Sequence, residues 1–158
     1  MKVMKFGGTS VGSPQRMKNV VELINSDNEQ KIVVLSAMSG TTNMLYEISD
    51  YLYKKNPVGA NENINIMEDK YHQHVEDLYT TDEYKKKAND FLKQEFDYIR
   101  SFTKSTFTVF EEKIIVGQGG TRRATRHALH QEALYDGQPG ELRICGERYA
   151  RRRDRWYM

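Results

Sequence analysis

Two short segments carry residue types that could do chemistry. The first is Lys5-Phe6-Gly7-Gly8-Thr9-Ser10. Adjacent glycines let a backbone approach a ligand without side-chain obstruction. The N–H groups of such a turn, with those of a following helix N-terminus, suit an anion. Lys5 adds a charge that can neutralise phosphate, and Thr9 and Ser10 add hydroxyl donors. The spacing is neither a Walker A loop, which needs Gly, four residues, then Gly-Lys-Ser/Thr, nor a dinucleotide Gly-x-Gly-x-x-Gly. On the pattern alone, phosphate binding and a tight structural turn both stay open. The second segment is Ser36-Ala37-Met38-Ser39-Gly40-Thr41-Thr42-Asn43, rich in small hydroxyl residues. Here a ligand site competes with plain helix capping by Thr41 or Thr42.

The elements around these segments explain how they could be brought together. Lys2 to Lys5 reads as a short strand. Ser13-Pro14 opens a helix, with serine as N-cap and proline at the first helical position. Met17, Val20, Val21 and Ile24 then fall on one helical face, and Asn25-Ser26-Asp27-Asn28 ends it. Lys31 to Ser36 holds Ile32-Val33-Val34-Leu35, an apolar run suited to a central strand of a parallel sheet. Strand, glycine turn, helix, strand is a βαβ unit with a right-handed crossover. In open α/β sheets ligands sit beyond the carboxyl ends of the strands. Both candidate turns should therefore lie on one sheet edge, side by side.

Helical spacing returns at Met44, Leu45, Ile48 and Leu52, and Pro57-Val58-Gly59-Ala60-Asn61 reads as a loop. A third helix is spaced by Ile64, Met67, Tyr71, His74 or Val75, and Leu78. A fourth, capped by Thr81 or Asp82, carries Tyr84, Ala88, Phe91, Leu92, Phe96 and Ile99. Phe107 to Val116 fits helix or strand equally. His72 and His74, two apart, fall on different helix faces, which argues against a shared metal.

Composition divides the 158 residues near Gln118. Residues 1–118 hold 13 Lys and 2 Arg against 17 acidic residues, a net of −2, whereas residues 119–158 hold 9 Arg, no Lys and 5 acidic residues, a net of +4. Leu, Ile, Val and Phe number 30 in the first part and 4 in the second, too few to build a core there. Folding gives no reason to exchange every lysine for arginine. A change of reading frame or a segment of different origin does, and residues 119–158 are expected to be an Arg-rich tail, disordered or frameshifted. Arg151-Arg152-Arg153-Asp154-Arg155-Trp156-Tyr157 could stack and pair with single-stranded nucleic acid, but a solvated tail is the simpler reading. His127, His130 and Cys145 match no zinc spacing. The lone cysteine and the absence of an apolar leader point to a cytoplasmic protein, and no apolar run is long enough to cross a bilayer.

Lys5-Phe6-Gly7-Gly8-Thr9-Ser10-Val11 resembles the N-terminal signature of aspartate kinases. Val33-Val34-Leu35-Ser36-Ala37, followed by Gly40-Thr41-Thr42-Asn43, is similar to that family's second block, at the expected separation. The resemblance spans about residues 2–118. It implies a three-layer αβα amino-acid kinase sandwich and transfer of the ATP γ-phosphoryl group to L-aspartate, with Mg2+ accompanying ATP. By position, Lys5 would be catalytic. Lys5, Phe6, Gly7, Gly8 and Thr9 would bind nucleotide, Ser36 and Thr42 would contact aspartate, and none of these would be a metal ligand. A homo-oligomeric parent and a place in lysine, threonine and methionine biosynthesis are implied too. Where the family carries a glutamate after a Gly-rich lead-in, this chain has Gly120 after Gly117-Gln118-Gly119. The family's later nucleotide-binding blocks are absent. The expectation is thus a truncated aspartate kinase of weak or no activity. A non-catalytic binding module, or another phosphotransferase of the same fold, is the alternative.

Overall fold

The computed structural model describes residues 1–27, 29–118 and 143–146. Strand β1 (Lys2–Phe6) is followed by helix α1 (Pro14–Asn25), strand β2 (Lys31–Leu35) and helices α2 (Thr41–Tyr53), α3 (Pro57–Leu78) and α4 (Asp82–Ser101). A 3-10 turn, Phe102–Lys104, leads to α5 (Val109–Gln118), and β3 (Arg143–Gly146) joins the sheet. The class is α/β, mostly helical around a small parallel sheet of order β1-β2-β3. Among the described residues no helix is long and apolar enough to cross a membrane.

Parallel register places Met4 opposite Val33, Lys5 opposite Val34 and Phe6 opposite Leu35. Side chains alternate across a strand, so Phe6, Val33 and Leu35 point into the core while Val3 and Lys5 stay exposed. Helix α1 starts as its residues dictate. The Ser13 side chain accepts from the Arg16 N–H, Pro14 occupies the first turn, and Met17, Val20, Val21 and Ile24 are all buried. In α2, Leu45, Ile48 and Leu52 are buried. In α4, Ala88, Leu92, Phe96 and Ile99 form the buried stripe. Helix α3 lies at the centre of the helical layer and packs against α1, α2 and α4.

Three expectations shift. Pro57 to Asn61 is not a loop but the first turn of α3: Asn56 caps it by accepting from the Gly59 N–H at 3.0 Å, and Pro57 fits the N1 position. Neither Thr41 nor Thr42 caps α2; the N-cap is Gly40, with φ of 84°, a left-handed backbone that favours glycine. The ambiguous stretch after Phe107 resolves as α5. The histidines do part ways: His72 Nδ1 meets Asn89 Oδ1 on α4 at 2.8 Å, while His74 turns toward Gly12.

At the amino edge of the sheet, the buried Lys31 ammonium lies 2.5 Å from Asp27 Oδ1 and donates to the Asp27 carbonyl at 2.6 Å. Lys2 donates to Asp27 Oδ2 at 2.8 Å. Hydrogen bonds from these two lysines hold the Asp27 carboxyl well below the usual carboxylate range.

Candidate functional site

Both strands end on the same register line, Phe6 opposite Leu35. The turns that follow therefore leave the sheet at its carboxyl edge as neighbours. A hydrogen bond from Ser36 N–H to the Phe6 carbonyl, 3.0 Å, ties the root of the second turn to the end of β1. The contact between the turns is direct. A Cβ on Gly8 would stand 2.7 Å from the Ala37 carbonyl oxygen and 3.3 Å from the Ser39 nitrogen. Gly8 is thus glycine because the second turn occupies the space of a side chain. Gly7 differs: a Cβ there would meet nothing within 4 Å, and the residue is exposed. Of the two glycines, one packs turn on turn and the other leaves open backbone.

The first turn uses its carbonyls internally. Gly7 O accepts from Ser10 N–H at 2.9 Å and Val11 N–H at 3.3 Å, and Thr9 O accepts from Gly12 N–H at 3.4 Å. Val11 is fully buried and anchors the turn in the core. Lys5 is exposed at the end of β1, on the face opposite the buried Phe6. Thr9, Ser10, Ser39 and Thr42 are exposed and Ser36 is half-buried, whereas the Phe6 and Thr41 side chains are buried. The structure thus gathers Lys5, Gly7, Gly8, Thr9, Ser36 and Thr42 on one edge, and it gives Phe6 to the core with its carbonyl on Ser36.

Sequence reasoning missed four residues that hold this edge. Arg16, one turn into α1, donates from Nη1 to the Thr9 carbonyl at 2.9 Å. Lys70 of α3 donates to the Ser39 carbonyl at 3.4 Å. Tyr71 shares a buried 2.6 Å hydrogen bond with the Thr41 hydroxyl. His74 meets the Lys70 carbonyl through Nδ1 at 2.8 Å and the Gly12 carbonyl through Nε2 at 3.5 Å. Only a pairing of Pro-started α1 with the turn before it could have suggested Arg16; the α3 contacts join residues 30 to 62 apart and have no local signal.

The edge carries positive charge from Lys5, Arg16 and Lys70 beside hydroxyls and open glycine backbone, an arrangement suited to a phosphorylated anion. Among the described residues no three His, Cys, Asp or Glu side chains converge to hold a metal ion. Gly119, Gly120, His127, His130 and Arg151 to Tyr157 lie outside the described residues, as does the side chain of Cys145.

Comparison with known proteins fits this picture. The sequence model of the amino acid kinase family matches residues 1–138. The chain is 57% identical over 47 residues to the chloroplastic bifunctional aspartokinase/homoserine dehydrogenase 2 of Arabidopsis thaliana, covering 29% of this chain and 5% of that protein. It is 42% identical over 59 residues to the aspartokinase of Rickettsia conorii, 35% of this chain and 15% of that protein. In structure it is similar to E. coli aspartokinase III in complex with aspartate and ADP, with a TM-score of 0.62 at 22% identity over 84% of this chain and 29% of that one. It is similar also to the aspartate kinase of Clostridium acetobutylicum, TM-score 0.65 at 18% identity, 85% of this chain and 29% of that one. The chain thus spans under a third of the solved relatives, and these two share its fold.

Proposed function

The chain belongs to the amino acid kinase family, and from that premise we propose that its chemistry is that of an aspartate kinase. The reaction is transfer of the ATP γ-phosphoryl group to the side-chain carboxylate of L-aspartate, giving 4-phospho-L-aspartate and ADP. The observation that carries this reading is the direct backbone contact of the two turns at Gly8, on the carboxyl edge of adjacent parallel strands. It supports a site in which a phosphoryl donor and a small dicarboxylic acid lie side by side. E. coli aspartokinase III, whose fold this chain shares, was solved with aspartate and ADP.

In the reaction, an aspartate carboxylate oxygen forms a bond to the γ-phosphorus as the bond to the β,γ-bridging oxygen breaks. The carboxylate is already ionised at neutral pH, so no general base is required. Catalysis then rests on positioning and on neutralising charge. Lys5 is the catalytic residue that offsets charge on the transferring group. The open backbone at Gly7, with Gly8 and Thr9, receives the phosphates. Ser36 and Thr42 orient aspartate from the second turn. Mg2+ bound with ATP would offset further charge on the phosphates. The cytoplasmic setting, the homo-oligomeric state and the link to lysine, threonine and methionine biosynthesis belong to the same proposal. So does the division at Gln118 into a catalytic part and an Arg-rich tail. With Gly120 at the glutamate position, turnover by this chain alone is expected to be weak.

Calorimetric titration with ADP and with L-aspartate, beside a coupled ADP-release assay, tests the reading. Binding of both ligands is expected, with the nucleotide signal lost in Lys5→Ala. A chain that binds neither refutes it. Removing one such charge-stabilising group costs about 10²–10³ in rate, so residual turnover should fall below detection in Lys5→Ala.

A further inference from the structure

One turn of α3 touches both candidate loops. Lys70 reaches the Ser39 carbonyl, His74 reaches the Gly12 carbonyl, and between them Tyr71 meets Thr41. The last contact is the tightest and driest. Thr41 is 1% exposed, Tyr71 is 3% exposed, and their oxygens are 2.6 Å apart. Thr41 is the first residue of α2 and sits between the left-handed Gly40 and Thr42. Gly40 takes a left-handed backbone at this point, and no side chain caps the helix start. The Tyr71 hydroxyl therefore replaces a local cap by a tether from another helix. The tyrosine ring is itself fixed, edge-on to Phe96 with centroids 6.0 Å apart and tilted against His74 at 6.4 Å.

We infer that Tyr71 is a positioning residue for the second turn: acting through Thr41, it sets where Thr42 and Ser36 stand relative to the glycine turn. The inference rests on the aspartate kinase reading and deepens it, because the ligand affected is the amino-acid substrate rather than the nucleotide. On that reading the nucleotide is held from β1 and the first turn, whereas the buried Tyr71 hydrogen bond goes to Thr41 in the second. Loss of the phenol hydroxyl should thus separate the two affinities. A hydroxyl pair serving stability alone would not separate them.

Tyr71→Phe deletes the oxygen and keeps the ring. Thr41→Val/Tyr71→Phe removes both hydroxyls, so neither is left buried without a partner. Calorimetric titration of the full chain with L-aspartate and with ADP, beside thermal unfolding, reads the outcome. Aspartate binding is expected to weaken about five- to tenfold in both variants, as loss of one buried hydrogen bond implies, with ADP affinity within about twofold of the parent chain. The double variant should regain thermal stability without regaining aspartate affinity. Equal losses for both ligands, or recovery of aspartate affinity together with stability in the double variant, overturn the positioning role and leave the kinase reading intact. Should Tyr71→Phe fail to fold, the double variant alone decides by the same ratio. Failure of the parent chain to bind either ligand overturns the kinase reading, and this inference with it.

Discussion

Adding a single methyl group at Gly8 tests whether the two turns form one unit. An alanine Cβ would stand 2.7 Å from the Ala37 oxygen and 3.3 Å from the Ser39 nitrogen, and both are backbone atoms that no rotamer change can move. The second turn cannot retreat easily. Ser36 is bonded to Phe6, Met38 is buried in the core, and Thr41 is tied to Tyr71. Overpacking of this kind costs about 1–3 kcal/mol. For a chain of this size, each kcal/mol moves the melting temperature by roughly 2–4 °C, so Gly8→Ala should melt about 2–12 °C lower. Gly7→Ala is the internal control, because its methyl group meets nothing within 4 Å. Its melting temperature should stay level or rise slightly, since alanine narrows the unfolded ensemble by about 0.4–1 kcal/mol. On the proposed reading the methyl group would stand where phosphates approach, so ADP affinity should fall. Thermal unfolding by circular dichroism and calorimetric titration with ADP read the pair. Equal melting temperatures for the two variants would refute the reasoning that only Gly8 packs turn on turn.

Two further outcomes concern the scaffold. Phe96 is 1% exposed in the C-terminal third of α4, against Tyr71; Phe96→Ala should cost about 3–5 kcal/mol, measured by urea unfolding. The Asp27 carboxyl is held below the usual range by Lys2 and Lys31. A carboxyl depressed by folding contributes stability above its unfolded pKa of about 3.9 and loses it as pH falls further. Unfolding midpoints measured from pH 6 down to pH 2 should therefore drop more steeply below about pH 4 in the parent chain than in Asp27→Asn, and parallel curves would contradict the pairing.

Local signals explain what could be read from the sequence. Ser13-Pro14 and the Met17-Val20-Val21-Ile24 stripe act within one helix, so α1 was legible to its cap. The apolar run of β2 and the two turns after strands sufficed to place both turns on one edge. Pro57 misled because Pro-Val-Gly-Ala-Asn resembles a loop. The deciding feature was the Asn56 cap, and Gly59 is needed where the Tyr51 ring would lie 2.5 Å from a Cβ. Thr41 looked like a cap and is instead a buried hydroxyl whose partner lies thirty residues away. Lys70, Tyr71 and His74 looked like one stretch of an ordinary amphipathic helix. Their roles arise only when α3 docks on both turns, and periodicity within α3 carries no trace of that. In the segment read as a tail, Arg143–Gly146 pairs with β2 through backbone bonds, which depend little on side-chain composition.

The place of β1 in the sheet gives Lys5 a second consequence. In the described sheet β1 is an outer strand, its Val3 and Lys5 facing solvent. Outer strands invite edge-to-edge addition of another polypeptide, and charged lysines are a common deterrent. Lys2 and Lys5 bracket the exposed Val3 as gatekeepers against such stacking. Neutralising Lys5 therefore removes a guard along with the proposed phosphate contact, and preparations of Lys5→Ala are expected to aggregate at concentrations the parent chain tolerates.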